Sequence, residues 1–181
     1  EGQVTVDGDT RNLEKPFFVI ATQNPVETLG CFPLPEAQMD RFMMKISMGK
    51  MQKQEETEMI DRYICDEPLQ KISSVCGVEE ILNLQEECRN IFVHNDLRNY
   101  IVELVQASRS GGMGGTGAVA MRQGISPRGT LALLRSSQGY ALVQGRDYVV
   151  PEDVKAVAIP VLAHRLLSET DDYRQKVASI R

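Results

Sequence analysis

The sequence lacks several features that would assign it to a class at once. It has no run of about eighteen apolar residues that could span a bilayer, and its amino end has no initiator Met and no secretory leader. Its four cysteines form no C-x-x-C pair, and the sequence has only two histidines, which argues against a zinc site or a disulfide framework. The net charge of -5 argues against general nucleic-acid binding. We therefore expect a cytoplasmic protein with no membrane span, no metal site in this chain and no nucleic-acid partner.

The first 49 residues carry strand signals and one short helix signal. QVTVDGDTRNL alternates apolar and polar residues around Asp7-Gly8, which predicts a hairpin. FFVIAT, after Pro16, is a continuous apolar run typical of a strand buried on both faces. LPEAQMDRF suits a short helix with Pro at its start, and MMKISM suits a second strand. Beyond the hairpin, this part is therefore predicted to be β-α-β.

From Lys50 onward the apolar spacing becomes helical. NDLRNYIVELVQASR places apolar side chains on one face, and SPRGTLALLRSSQGYALVQG has a Ser cap, Pro at its first position and a terminal Gly145. PEDVKAVAIPVLAHRLL again starts with Pro and acidic residues. The sequence thus predicts a mainly α fold, with a domain of residues 1–49 and an all-helical domain of residues 50–181.

The first candidate site residue is Asn24, in the polar stretch TQNP that follows FFVIAT directly. Ligands of α/β sheets bind beyond the carboxyl ends of the strands. The amide of an Asn both donates and accepts, so it could hold a γ-phosphate oxygen and an attacking water together. The alternative is an ordinary turn, because Asn-Pro commonly initiates one.

Two arginines are the other candidates. Arg41 ends the short helix, and its permanent charge and planar donor fork suit a phosphoryl group in a neighbouring subunit's site. The alternative is a solvated ion pair with Asp40 or Glu36. Arg128 is predicted in a first helical turn, where a cation is mildly unfavourable unless the helix N-terminus and the guanidinium bind one anion together. The alternative is that Arg128 points to solvent.

The glycine-rich stretch RSGGMGGTG, from Arg109 to Gly117, is not predicted to bind phosphate. It follows a helix and is not followed by Lys-Ser or Lys-Thr, so the context of a phosphate-binding loop is missing. We interpret residues 111–121 as a flexible connector, or as a small hairpin through AVAMRQ, that leads to Arg128.

Taken in order, these motifs resemble the MoxR family of AAA+ ATPases. The resemblance is carried by QVTVDGDT, TQNP, LPEAQMDRF, GISPR before LALLR, and GRDYVVPEDVKAVAIPVLAHRL, and it covers almost the whole chain. It implies that Asn24 is sensor 1, Arg41 the arginine finger and Arg128 sensor 2. The Walker A and Walker B motifs that bind ATP and Mg²⁺ in such proteins are absent from the sequence. The chain therefore looks like a carboxyl-terminal half, the end of the α/β core followed by the helical lid, and we expect it to be inactive alone.

The resemblance also implies a function for the intact protein. Such proteins hydrolyse ATP in a ring, here expected to be a hexamer, and act as chaperones that remodel or mature client proteins, often with a partner bearing a von Willebrand factor A domain. Two alternatives stay open. One is a non-catalytic helical module for oligomerisation or protein binding, and the other is a subunit of the magnesium-chelatase type.

Overall fold

The computed structural model describes residues 2–23, 34–109 and 121–168. Asn24 and the glycine-rich residues 110–120 lie outside the described residues. The regular elements, in chain order, are β1 Gln3–Val6, β2 Asp9–Asn12, α1 Glu36–Met39, α2 Lys53–Cys65, α3 Val78–Asn90, α4 Asn95–Arg109, β3 Met121–Gln123, α5 Pro127–Val143, α6 Pro151–Leu162 and β4 Leu167–Ser168. Short 3₁₀ turns occupy Pro68–Lys71 and Ala163–Arg165. The predicted mainly helical class is confirmed.

The chain divides into two compact units, and the first comprises residues 1–18 and 46–84. Strands β1 and β2 form the predicted antiparallel hairpin, with Val6 opposite Asp9. Asp7 and Gly8 connect them with positive φ angles of 52° and 89°, as a two-residue turn of this kind requires. Helix α2 begins with a Gln52 amide that donates to the Glu55 carboxylate at 2.6 Å. Its residues 53–64 are all exposed, so α2 is the charged surface helix that its composition predicts.

The second unit comprises residues 19–45 and 85–181, and its described part holds the hydrophobic core. Helices α4, α5 and α6 pack together around buried aliphatic side chains, among them Ile101, Val105, Leu133, Val154 and Leu162. The end of α5 follows the sequence prediction, because Gly145 has a φ of 71° and its amide donates to the Leu142 carbonyl at 2.9 Å. The predicted domain boundary near Gly49 stays a prediction.

The strand predicted at residues 17–22 is wrong. This segment adopts no regular secondary structure, and Phe18 and Ile20 are 83% and 77% exposed. A buried strand needs neighbours that pair with its backbone and cover its faces. Within the described ranges no strand lies beside residues 17–22, so the apolar run has no backbone partner there.

The strand predicted at residues 43–48 is also wrong. Here the backbone groups are used elsewhere: the Lys45 amide donates to the Pro160 carbonyl at 2.9 Å, and the Met43 carbonyl accepts from the guanidinium of Arg165 at 3.2 Å. Of the hairpin expected through AVAMRQ, residues 118–120 lie outside the described residues. Its last three residues form β3, which pairs antiparallel with β4. No helix in the described part of the chain has the length and apolar character needed to cross a membrane.

Candidate functional site

Arg41 lies in the turn that directly follows α1, and its side chain is exposed. The turn is held by local hydrogen bonds: the Arg41 amide donates to the Gln38 carbonyl at 3.1 Å, and the Phe42 amide donates to the Met39 carbonyl at 3.1 Å. A helix of only four residues cannot be stable through its own hydrogen bonds. Whatever fixes the position of Arg41 must therefore come from the rest of the fold.

Arg128 is the second residue of α5, and its side chain is exposed in the first helical turn. Ser126 is the N-cap residue and Pro127 the first helical residue, as the sequence predicts. The Ser126 hydroxyl, however, makes no capping bond to the helix. It donates instead to the carboxylate of Asp40, at 2.9 Å from Oδ2 and 3.1 Å from Oδ1. One carboxylate therefore joins the residue before Arg41 to the residue that opens the helix of Arg128.

The same carboxylate contacts Arg165, whose side chain is only 2% exposed. The Arg165 Nε donates to Asp40 Oδ1 at 3.2 Å, and Nη2 donates to the carbonyls of Asp40, at 3.1 Å, and Phe42. Nη1 donates to the carbonyls of Met43, at 3.2 Å, and Val161. All five guanidinium N–H donors thus have acceptors, four of them in residues 40–43. Burial lowers the pKa of Arg165 from its ordinary value, an effect opposed by the charge of Asp40.

His164 contacts the same segment from the preceding position. Its Nε2 lies 3.2 Å from the Phe42 carbonyl, and since a carbonyl oxygen can only accept, this nitrogen carries the proton. Its Nδ1 is buried without a hydrogen-bond partner in the part of the chain that is described. Burial, together with the charge of Arg165, lowers the pKa of His164 to about 4. The imidazole is therefore neutral at pH 7.

The motifs indicate Arg41 and Arg128 but not the residues that connect them in space. The sequence suggests Asp40 only as an ion-pair partner of Arg41, whereas its carboxylate binds Ser126 and Arg165. Arg165 could have been recognised from its place in the apolar segment VLAHRLL. Burial of a charged side chain costs free energy unless a partner compensates the charge, so an arginine in such a segment predicts a buried partner. The identity of that partner, 125 positions away, has no signal in the sequence.

Comparison with known proteins places the chain in a family. Residues 118–180 match the AAA lid domain, and residues 1–44 match the ATPase family associated with various cellular activities (AAA). The chain is 42% identical over 167 residues to an uncharacterised protein, YeaC, of Bacillus subtilis, which covers 92% of this chain and 50% of that protein. It is 40% identical over 180 residues to Chaperone MoxR1 of Mycobacterium tuberculosis, which covers 98% of this chain and 47% of that protein.

A solved structure is similar as well. The crystal structure of a candidate ATPase from Cytophaga hutchinsonii superimposes with a TM-score of 0.86 at 36% identity, over 99% of this chain and 57% of that one. The chain spans about half the length of the curated relatives it matches. The order of its motifs, its helical lid and these relatives agree, and the chain belongs to the MoxR family of AAA+ ATPases.

Proposed function

We propose that this chain supplies three nucleotide-sensing residues of a ring-shaped ATPase. Asn24 is sensor 1, Arg41 is the arginine finger that reaches the neighbouring subunit's nucleotide, and Arg128 is sensor 2. The observation that carries the proposal is that both arginines are exposed, on two elements joined by the carboxylate of Asp40. The half-buried carboxylate of Asp40 thus links the turn of Arg41 to the helix of Arg128, as a shared nucleotide-sensing role for the two arginines would require.

Arg128 has the surroundings that an ATP phosphate group requires. It stands in the first turn of a helix of 17 residues, where the N–H groups and the helix dipole favour an anion, and no side-chain cap occupies that end. A guanidinium and a helix N-terminus can therefore bind the phosphates of the same subunit together. In this role Arg128 would report the state of the nucleotide to the lid.

The described residues offer no cluster of protein ligands for Mg²⁺. Across residues 2–23, 34–109 and 121–168, no group of three His, Cys, Asp or Glu side chains could hold a metal ion. The nucleotide-binding loop and the Mg²⁺ ligands of such an ATPase would have to come from polypeptide outside the 181 residues. The chain's own contribution would be to orient water through the amide of Asn24 and to stabilise phosphoryl charge through Arg41 and Arg128.

The cellular role is proposed from the relatives. One of them is named a chaperone, and we propose that the intact protein is a cytoplasmic, hexameric ring that remodels or matures client proteins by ATP hydrolysis. A partner with a von Willebrand factor A domain is part of this proposal. The non-catalytic module is the competing function, because neither Walker motif is present in the 181 residues.

The test is Arg41→Ala in a full-length protein that carries the Walker motifs. An arginine finger contributes about 10³-fold or more to the rate of phosphoryl transfer. We therefore expect kcat for ATP to fall by at least about 10³-fold, while ATP affinity, measured by calorimetry, stays nearly unchanged. The matched control is Arg135→Ala, which removes an exposed arginine from the outer face of α5 and should hydrolyse ATP normally. Retained turnover per ring in Arg41→Ala would contradict the proposal.

A further inference from the structure

Asp40 is bound from two directions by groups that the proposed chemistry does not use. Its carboxylate accepts from the Ser126 hydroxyl at 2.9 Å and from the Arg165 Nε at 3.2 Å. The Arg165 guanidinium also binds the carbonyls of Asp40 and Phe42, which flank Arg41 on both sides. The backbone of the arginine finger is thus held by a buried residue at the end of the lid.

We propose that Asp40 is a positioning residue, which with Ser126 and Arg165 makes the arginine finger and the sensor 2 helix move as one body. This inference rests on the proposed function, since it gives Arg41 and Arg128 the roles stated above. Its consequence is communication between nucleotide sites. A displacement of α5 caused by the subunit's own nucleotide would shift Arg41 in the neighbouring subunit's site.

The connection is short and stiff. Arg41 is bonded covalently to Asp40, and Arg128 lies two residues after Ser126, so each arginine is within two peptide units of the shared hydrogen bond. Hydrogen bonds to an ionised carboxylate are stronger than neutral ones. Arg165 adds to this connection from the 3₁₀ turn after α6, because its buried donors bind carbonyls of the Arg41 turn as well as that of Val161 and would lose the former if the turn moved away.

The inference requires that a change at Ser126 be felt at Arg41. Ser126→Ala is well suited to show this, because the Ser126 hydroxyl makes no capping bond to α5 and, among the described residues, its loss removes only the bond to Asp40. The reporters are two backbone amides with known acceptors, Phe42 to Met39 at 3.1 Å and Gly129 to Ser126 at 2.9 Å. Their hydrogen exchange can be measured on the 181-residue chain without nucleotide.

We expect exchange at the Phe42 and Gly129 amides to become about tenfold faster together in Ser126→Ala, which corresponds to losing one charge-assisted hydrogen bond. Ser126→Thr keeps a hydroxyl and should restore protection. The matched control is Ser136→Ala in the same helix, whose buried hydroxyl has no partner within the described residues and whose loss should leave both amides unchanged. Unchanged exchange at Phe42 in Ser126→Ala would overturn the inference.

A second readout separates positioning from simple stabilisation. In the full-length ATPase, Ser126→Ala should lower kcat by about tenfold with the KM for ATP unchanged, because nucleotide binding remains while the finger is misplaced. Ser126→Thr should recover kcat. A raised KM with normal kcat would contradict the coupling. If Arg41→Ala keeps full turnover, the proposed role of Arg41 fails, whereas the exchange result still decides whether the two elements are joined.

Discussion

Gly129 offers the sharpest test of the packing around Arg165. A Cβ atom added at this position would lie 2.2 Å from Cγ2 of Ile125 and 3.1 Å from Cδ of Arg165. Ile125 is only 1% exposed, so its methyl group has no free space to enter. Overpacking of this kind costs about 1–3 kcal/mol, against which Ala gains at most about 1 kcal/mol in helix propensity. We expect Gly129→Ala to lower the free energy of unfolding by about 1–2 kcal/mol.

Gly139, further along α5, is the matched control. A Cβ there would meet only Sγ of Cys88, at 3.7 Å, which is an ordinary contact. Gly139→Ala should therefore gain helix propensity without strain and raise the free energy of unfolding by about 0.5–1 kcal/mol. Equilibrium urea unfolding of both variants measures the difference. Gly129→Ala with wild-type stability, or equal effects of the two substitutions, would refute the close packing of Ile125 and Arg165 against α5.

Two further predictions concern ionisable groups in the lid. Asp153 accepts hydrogen bonds from the Val150 amide at 2.8 Å and from Arg146, and the bond from Arg146 is the main reason that the pKa of Asp153 is lowered. Asp153→Ala should therefore lower the free energy of unfolding by about 1–2 kcal/mol at pH 7. A carboxyl pKa that is lower in the folded protein stabilises the fold at pH values above the pKa of the unfolded chain, about 3.9. The difference in stability between Asp153→Ala and wild type should therefore shrink as the pH falls through the pKa of Asp153 in the folded protein. Burial lowers the pKa of His164 in the folded protein to about 4, whereas the imidazole of the unfolded chain has a pKa of about 6.5. As the pH falls from 6.5 to 4, the unfolded chain binds a proton that the folded protein does not, so the free energy of unfolding should fall by up to about 3 kcal/mol. Unfolding measured across this range should lose most of that dependence in His164→Gln and retain it in His94→Gln, and equal pH profiles of wild type and His164→Gln would contradict the assignment.

The helices and the hairpin could be predicted because their signals are local. Asp7-Gly8 specifies a turn of positive φ, Ser126-Pro127 opens α5 and Gly145 ends it, and each of these features depends on residues a few positions apart. The prediction of the apolar face of α4 is confirmed for the same reason, since Leu97, Ile101 and Val105 follow the helical period and are buried.

The conformations of FFVIAT and MMKISM and the anchor of Arg41 could not be predicted, because they depend on partners far away in the sequence. FFVIAT has the composition of a buried strand, but whether it forms one depends on neighbouring strands that no pattern within it specifies. MMKISM likewise reads as a strand, yet Lys45 bonds to Pro160 instead. The motifs indicate the two candidate arginines. They do not indicate that the Asp40 carboxylate contacts Arg165, because the two residues are far apart in the sequence and meet only in the folded protein.

The separation of Asp40 from its partners has a consequence for synthesis of the protein on the ribosome. Ser126 and Arg165 follow Asp40 by 86 and 125 positions, so the segment that carries Arg41 leaves the ribosome before the residues that bind it. Such long sequence separations slow folding, because the loop must close before the contact stabilises it. Arg41 would therefore acquire its final place only after Arg165 has left the ribosome and closed the contact with Asp40.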